Sequence, residues 1–276
     1  MKKYIVLTSI SLVLSSSAAY ADQGVYVIEE NSSSVNKQEN TDPLSNGNRS
    51  SGLLWSYNEE ENGPDKWASI RKDFSACDGG QQSPINIRTE DVVSSVLPKV
   101  TFLYNDSSID LLNNAYTVQQ NYQLGSSIKF DGKTFNLVQY NFHSPSEHRI
   151  DGKEYPMEVH LMHESDDGQV VIIGVMFEQG KKNTGLNPVW EFMPKSYGET
   201  GKSGNKLSAL DLLPINKNYY FYQGSLTTPP CSESVNWVIM QEPIEATAAQ
   251  LRRFEKVIAP NARPIQKLNR RFVLGN

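Results

Sequence analysis

A single large, mainly β domain with peripheral helices is the fold class that the sequence predicts, and three observations predict it. Thirteen Tyr and ten Phe among 276 residues weight the composition toward strand formers. From Trp55 onward, short apolar runs recur between Gly, Pro, Asn and Asp punctuation, the spacing of strands and turns. Helix-start signals are few and lie in the second half of the chain.

The elements follow in order. Lys2 and Lys3 precede an apolar run from Tyr4 to Leu14, and small residues then lead to Ala19-Tyr20-Ala21. This is the pattern of a secretory signal peptide over residues 1–21, with an uncleaved tether as the alternative. The run is too short to span a bilayer, and no other stretch approaches that length, so the mature chain is expected to have no transmembrane segment. Residues 22–51 are rich in Ser, Asn and Glu and read as a disordered polar leader, leaving 52–276 as the folded domain. Within it, Phe135 to His143 alternates, with Val138, Tyr140 and Phe142 on one face and Leu137, Gln139, Asn141 and His143 on the other. Glu158 to His163 alternates too, with Glu158, His160 and Met162 sharing a face. Val170 to Phe177 is nearly all apolar, as a strand buried on both faces should be. Tyr219 to Tyr222 and Val235 to Met240 are further strands. Asn187-Pro188 starts a short helical turn through Met193. Thr247 and Gln250 form a capping box ahead of Leu251, Phe254 and Ile258.

The net charge of −5, with no basic stripe, argues against nucleic acid as a partner. Two cysteines, Cys77 and Cys231, in an exported chain suggest a disulfide, with two separate buried thiols as the alternative. A bridge would close a loop of about 150 residues, and in the chain-entropy view that contributes about 4–5 kcal/mol. Other familiar chemistries fit poorly. His143 to His148 has one residue too many for an inverted zinc-protease motif, and Pro145 disfavours its helix. Gly201-Lys202-Ser203 resembles a phosphate loop but lacks the first glycine, Ser196 standing in its place, and reads as an exposed loop.

All four histidines, His143, His148, His160 and His163, fall in one short segment. His163 lies on the opposite strand face from His160, and His148 and His163 read as hydrogen-bonded core residues. His143 and His160 each sit among polar neighbours on a strand face. Two adjacent antiparallel strands would bring them together as imidazole ligands for a metal, or equally as members of a buried hydrogen-bond network.

Several motifs in order then point to one family. Val138-Gln-Tyr-Asn-Phe-His143-Ser-Pro-Ser-Glu147-His148, Met157-Glu-Val-His160-Leu-Met-His163 and Gly224-Ser-Leu-Thr227-Thr228-Pro229-Pro230-Cys231 resemble stretches of the α-carbonic anhydrases. So do Asn62-Gly63-Pro64 with Trp67, Gln82-Ser83-Pro84-Ile85, and Asn261-Ala-Arg263-Pro264-Ile-Gln266. The resemblance covers nearly everything from Trp55 to the C-terminus. It implies a large twisted, mostly antiparallel central sheet with a conical pocket, a Cys77–Cys231 bridge, and a Zn2+ hydroxide that hydrates carbon dioxide to bicarbonate. It further implies His143 and His160 as zinc ligands and Glu158 as the acceptor holding His160. Thr227 would accept from the hydroxide and donate to Glu147, and Thr228 would hold bicarbonate. Ile172, Met162, Leu226 and Trp237 would form the apolar wall where the substrate rests.

Two residues depart from the family's pattern. Asn141 stands where the first zinc histidine belongs, although Gln139 occupies the place of that ligand's hydrogen-bond partner. The Asn side chain is neutral but shorter and a poorer zinc donor than imidazole, so weakened zinc binding and slower catalysis, or an empty site, are expected. Tyr116 stands where a histidine commonly relays the proton, and a phenol with a pKa near 10 suits that task poorly. The expectation is an exported carbonic anhydrase, periplasmic or secreted, weakened by Asn141. The alternative is a silent relative that binds a protein partner.

Overall fold

The computed structural model describes residues 53–58 and 62–276, so the signal and leader segments lie outside the described residues. The strands that position the site are Ser107–Asn113 (β1), Val118–Asn121 (β2), Lys133–His143 (β3), Met157–Glu164 (β4), Val170–Gln179 (β5), Thr200–Leu207 (β6), Tyr219–Gly224 (β7) and Val235–Met240 (β8). They run in the order β6-β1-β2-β3-β4-β5-β8-β7 through a sheet that, among the described residues, is unclosed and has thirteen strands, the pair Leu274–Gly275 and Val93–Ser94 forming one of its edges. Neighbours are mostly antiparallel, while β5 lies parallel to β8. A parallel pair needs a long crossover, and the segment between β5 and β8 supplies it with a helix and two further strands. The twisted, mainly antiparallel sheet implied by the family resemblance is therefore what the chain forms.

The two faces of β3, β4, β5 and β8 differ in kind. One buries Tyr140, Phe142, Val159, Leu161, Ile173, Val175 and Val238 in the larger core. Two helices, Leu186–Phe192 (α1) and Ala248–Glu255 (α2), cover it, and Trp190 of α1 stacks on Phe254 of α2 and packs on Phe142. The other face carries a smaller core of Met162, Ile172, Met176, Trp237 and Ile239, and on it lie the polar groups of β3 and β4. The capping box of α2 forms as expected, Thr247 accepting from the Gln250 amide. Ile258 is buried just beyond the helix end.

Three expectations need correction. The alternation of β3 breaks at Val138, which is 42% exposed, while Leu137 joins Tyr140 and Phe142 in the larger core. The pairing with β4 explains it: Met162 faces Gln139 but His163 faces Leu137, so Val138 is an extra residue in a β-bulge. Below the bulge the expected face is kept by Gln139, Asn141 and His143. Gly201-Lys202-Ser203 is not a loop but part of β6, an edge strand paired with β1. Its glycine is required, because a Cβ there would come within 1.8 Å of the Phe192 carbonyl oxygen. Finally, α1 starts at Leu186, ahead of Asn187, and it is the Asn183 side chain that accepts from the Leu186 amide.

The Cys77–Cys231 disulfide is formed, spanning 154 positions. It sits in a third cluster with Trp55, Trp67, Phe74 and Tyr116, where the N-terminal segment packs on the domain.

Candidate metal centre

The register of β3 on β4 builds the site. His143 lies across from Glu158, Asn141 across from His160, and Gln139 across from Met162. A period of two places all six side chains on one face. The rings of His143 and His160 stand 4.6 Å apart between centroids, tilted by 42°. The two histidines and the asparagine are thus brought together, as the sequence predicts.

Each imidazole is held by its far nitrogen. His143 Nδ1 donates to the Asn261 carbonyl at 2.8 Å, and His160 Nε2 donates to Glu158 Oε1 at 2.7 Å. These bonds fix the tautomers and leave His143 Nε2 and His160 Nδ1 as lone-pair donors. His143 Nε2 is buried with no hydrogen-bond partner, an arrangement that costs stability unless something fills it. A divalent cation of the zinc type fits this donor set, which offers two imidazoles braced from behind.

Glu158 is the hub of the support. It is fully buried, and its Oε2 accepts from the backbone amides of Glu147 and His148, both at 2.9 Å. Burial alone would raise its pKa, but the His148 and His160 rings outweigh this and hold it well below the usual carboxylate range. Burial likewise opposes protonation of His160, yet Glu158 and then Glu147 raise its pKa above the ordinary value. For His143, burial wins and the pKa falls, keeping the ring neutral. Gly174, across from His160 on β5, leaves room for this contact, since a Cβ there would lie 2.9 Å from Glu158 Oε1 and 2.7 Å from Ile239 Cδ1.

His148 and His163 are satisfied core residues, as expected. His148 bonds Glu158 Oε1 at 2.8 Å and the Tyr222 hydroxyl at 2.6 Å. His163 points into the larger core, where Nε2 accepts from the Tyr104 hydroxyl at 2.6 Å and burial drives its pKa to about 3. Glu147 is buried; its Oε1 accepts from the Arg263 amide at 2.9 Å, but its Oε2 has no partner, so no bond from Thr227 reaches it here. Gln139 likewise buries an unpartnered Oε1 and donates only to the Met162 sulfur. Asn141 is half-buried.

Thr227 is buried and Thr228 is half-buried on the loop after β7, which the disulfide ties down. Met162, Ile172, Leu226 and Trp237 share one cluster, and the indole of Trp237 packs edge-on against the rings of His160 and His148. Tyr116 is buried in the third cluster. Its ring stacks on Trp55 at 3.7 Å and 5°, and burial raises its pKa to about 12, so it keeps its proton at neutral pH.

Sequence reasoning missed the roles of Asn261, Arg263, Tyr222 and Gly174. Asn261 and Arg263 lie in a noted motif, but their contacts cross more than a hundred residues. Asn261 also bonds Ser144 through its side chain. Buried Arg263 donates to Gln82, Ser83 and Cys77. Gly174 could have been suspected, as a lone glycine inside an apolar strand often marks a close approach.

The sequence model described as eukaryotic-type carbonic anhydrase matches residues 62–276. A carbonic anhydrase of Klebsiella pneumoniae is 40% identical over 80% of this chain and 90% of its own length. One from Nostoc is 39% identical over 82% of this chain and 87% of its own. Among solved structures, an α-carbonic anhydrase from Thermovibrio ammonificans in complex with the inhibitor sulfanilamide superimposes with a TM-score of 0.78 at 39% identity, covering 80% of this chain and 98% of that one. In fold, in the order of its motifs and in its histidine face, the chain belongs to the α-carbonic anhydrase family.

Proposed function

We propose that this protein reversibly hydrates carbon dioxide to bicarbonate with zinc held by His143 and His160, at a rate limited by Asn141. The observation that carries this reading is the buried, unpartnered His143 Nε2 beside the ring of His160. When bound, zinc supplies hydroxide near neutral pH by lowering the pKa of a water toward 7. The chain's own residues do the rest. Asn261 and Glu158 keep the two rings in the donor tautomer. Thr227 accepts a hydrogen bond from the attacking nucleophile and so directs its lone pair, and Thr228 holds the bicarbonate formed. Met162, Ile172, Leu226 and Trp237 offer an apolar wall on which nonpolar carbon dioxide can rest. Asn141 contributes a neutral amide oxygen in place of the third imidazole, a poorer donor. Because Tyr116 holds its proton to about pH 12, the proton released in each turnover passes to dissolved buffer, and the rate climbs with buffer concentration. The disulfide supports export through the segment 1–21 to the periplasm or beyond.

A second reading, a silent family member that binds a protein partner, draws on Asn141 and on the stacked Tyr116. Stopped-flow hydration of carbon dioxide, with and without added zinc, in the wild type and Asn141→His separates the two. The enzyme reading expects measurable zinc-dependent hydration in the wild type and a large gain in Asn141→His. Hydration that is absent in both proteins with zinc present would leave the binding reading.

A further inference from the structure

An asparagine ligand poses a problem that an imidazole does not. Its amide has an acceptor end and a donor end of nearly equal size, and only the oxygen can hold a divalent cation. Some neighbour must therefore take the N–H end and turn Oδ1 inward. Beside the metal position, Gln139 Oε1 is buried without a partner, and Gln139 as a whole is 6% exposed. Asn141 lies two positions on along the same face, about 6.6–6.8 Å away by strand rise and within reach of a glutamine side chain. Asn121 and Gln119 stand across from Gln139 and Asn141 on β2, but Gln119 donates to Asn121 Oδ1 at 2.7 Å and Asn121 donates to Asp110 Oδ2 at 3.4 Å. The other end of the Gln139 amide is already engaged. Its Nε2 donates, at 3.7 Å, to the sulfur of Met162, the residue across from it on β4.

We propose that Met162 is a positioning residue for the cation: its sulfur fixes the polarity of the Gln139 amide, and Gln139 in turn presents the Asn141 oxygen. This rests on the zinc reading and concerns how a chain without the third imidazole orients the ligand it has. A thioether has no hydrogen to give, so it can take only the N–H end of the glutamine. With Nε2 turned to Met162, Oε1 is turned away from it and can only accept. The N–H end of Asn141 is the complementary group. Once that end faces Gln139, Oδ1 points the other way, toward the face that Asn141 shares with His143 and with His160 across the strand pair. The polarity thus runs from an acceptor-only sulfur, through two amides, to a cation that takes only lone pairs, and neither end can reverse it. Apolar volume alone does not have this effect. A leucine at 162 would fill similar space against Ile172 and Trp237 but accept nothing, and both amides would be free to flip.

The test is zinc affinity by chelator competition on the exported full chain, with the visible spectrum of the Co2+ form as a second readout. Met162→Leu keeps an apolar side chain of similar volume and removes the acceptor. It should weaken zinc binding severalfold, up to about tenfold, the low end of what loss of an outer partner costs, and alter the Co2+ spectrum. Gln139→Glu offers an acceptor oxygen in either orientation, so Asn141 is turned correctly whatever stands at 162. In that background Met162→Leu should leave affinity and spectrum unchanged. Asn141→Asp gives a ligand with no N–H end to turn, and there too the dependence on Met162 should vanish. A purely packing role predicts the same loss in all three backgrounds. That result overturns the proposal, as does unchanged affinity in Met162→Leu alone. Should the wild type and Asn141→His both fail to take up zinc, the metal reading itself falls and this inference with it, whereas zinc uptake indifferent to Met162→Leu overturns the inference alone.

Discussion

The two histidines of β4 that lie three positions apart show how differently the faces of one sheet treat the same side chain. His163 looks into the larger core, where both ring nitrogens find partners in Tyr104 and the Val171 carbonyl. His160 looks the other way, with one nitrogen braced by Glu158 and the other left open among unpartnered atoms of His143 and Glu147. A satisfied polar group stabilises a fold, and a set of unsatisfied ones aimed at one point prepares a site. The difference between the faces is therefore one of satisfied against unsatisfied polar groups.

Changes on the site face should act on metal, and those on the core face on stability. The largest effect is expected from Asn141→His, which supplies a third imidazole with Gln139 Oε1 ready to accept from it. Zinc affinity should rise by more than the roughly 10–100-fold attached to outer partners, read by chelator competition. Glu158→Gln should weaken zinc binding by about 10–100-fold, since it loosens His160 and the two amides it accepts from. On the opposite face, His163→Ala should leave zinc affinity nearly unchanged while costing about 2–5 kcal/mol in denaturant unfolding, by opening a cavity and stranding the Tyr104 hydroxyl.

His163 also sets a pH dependence. Its folded pKa of about 3 lies below the ordinary histidine value of 6.5, so the unfolded chain binds the extra proton in that window. Stability is then lost as pH falls from 6.5 toward 3, by at most about 1.4 kcal/mol per pH unit from this group. His163→Leu should flatten that part of the profile, measured by unfolding at several pH values. The smallest of the substitution effects belongs to Val138→Thr. On the exposed bulge it should shift stability by no more than about 0.5 kcal/mol, whereas strict alternation would have buried it in the larger core and made it costly.

Local pattern revealed the site's floor and missed its frame. A two-residue period suffices to put Gln139, Asn141 and His143 on one face and Glu158, His160 and Met162 on another, and antiparallel pairing then joins them. The bulge at Val138 was not legible, because an extra residue is defined only against a partner strand. The edge strand β6 escaped notice for a related reason: its exposed Lys, Ser and Gly residues serve an edge that pairs on one side only and show no apolar alternation. Asn261 and Arg263 brace His143 and Glu147 from more than a hundred positions away, a distance over which periodicity carries no information. What the family resemblance added was the order of such distant motifs and the expectation of a metal. What the structure added was the set of atoms left without partners.

The most direct measurement is a zinc titration of chelator-stripped protein by calorimetry, with the wild type beside His143→Ala and His160→Ala. Uptake of one zinc per chain in the wild type, abolished in each variant, is the predicted result. No uptake by the wild type, or uptake that survives the loss of either histidine, would contradict a metal centre on this face of the sheet.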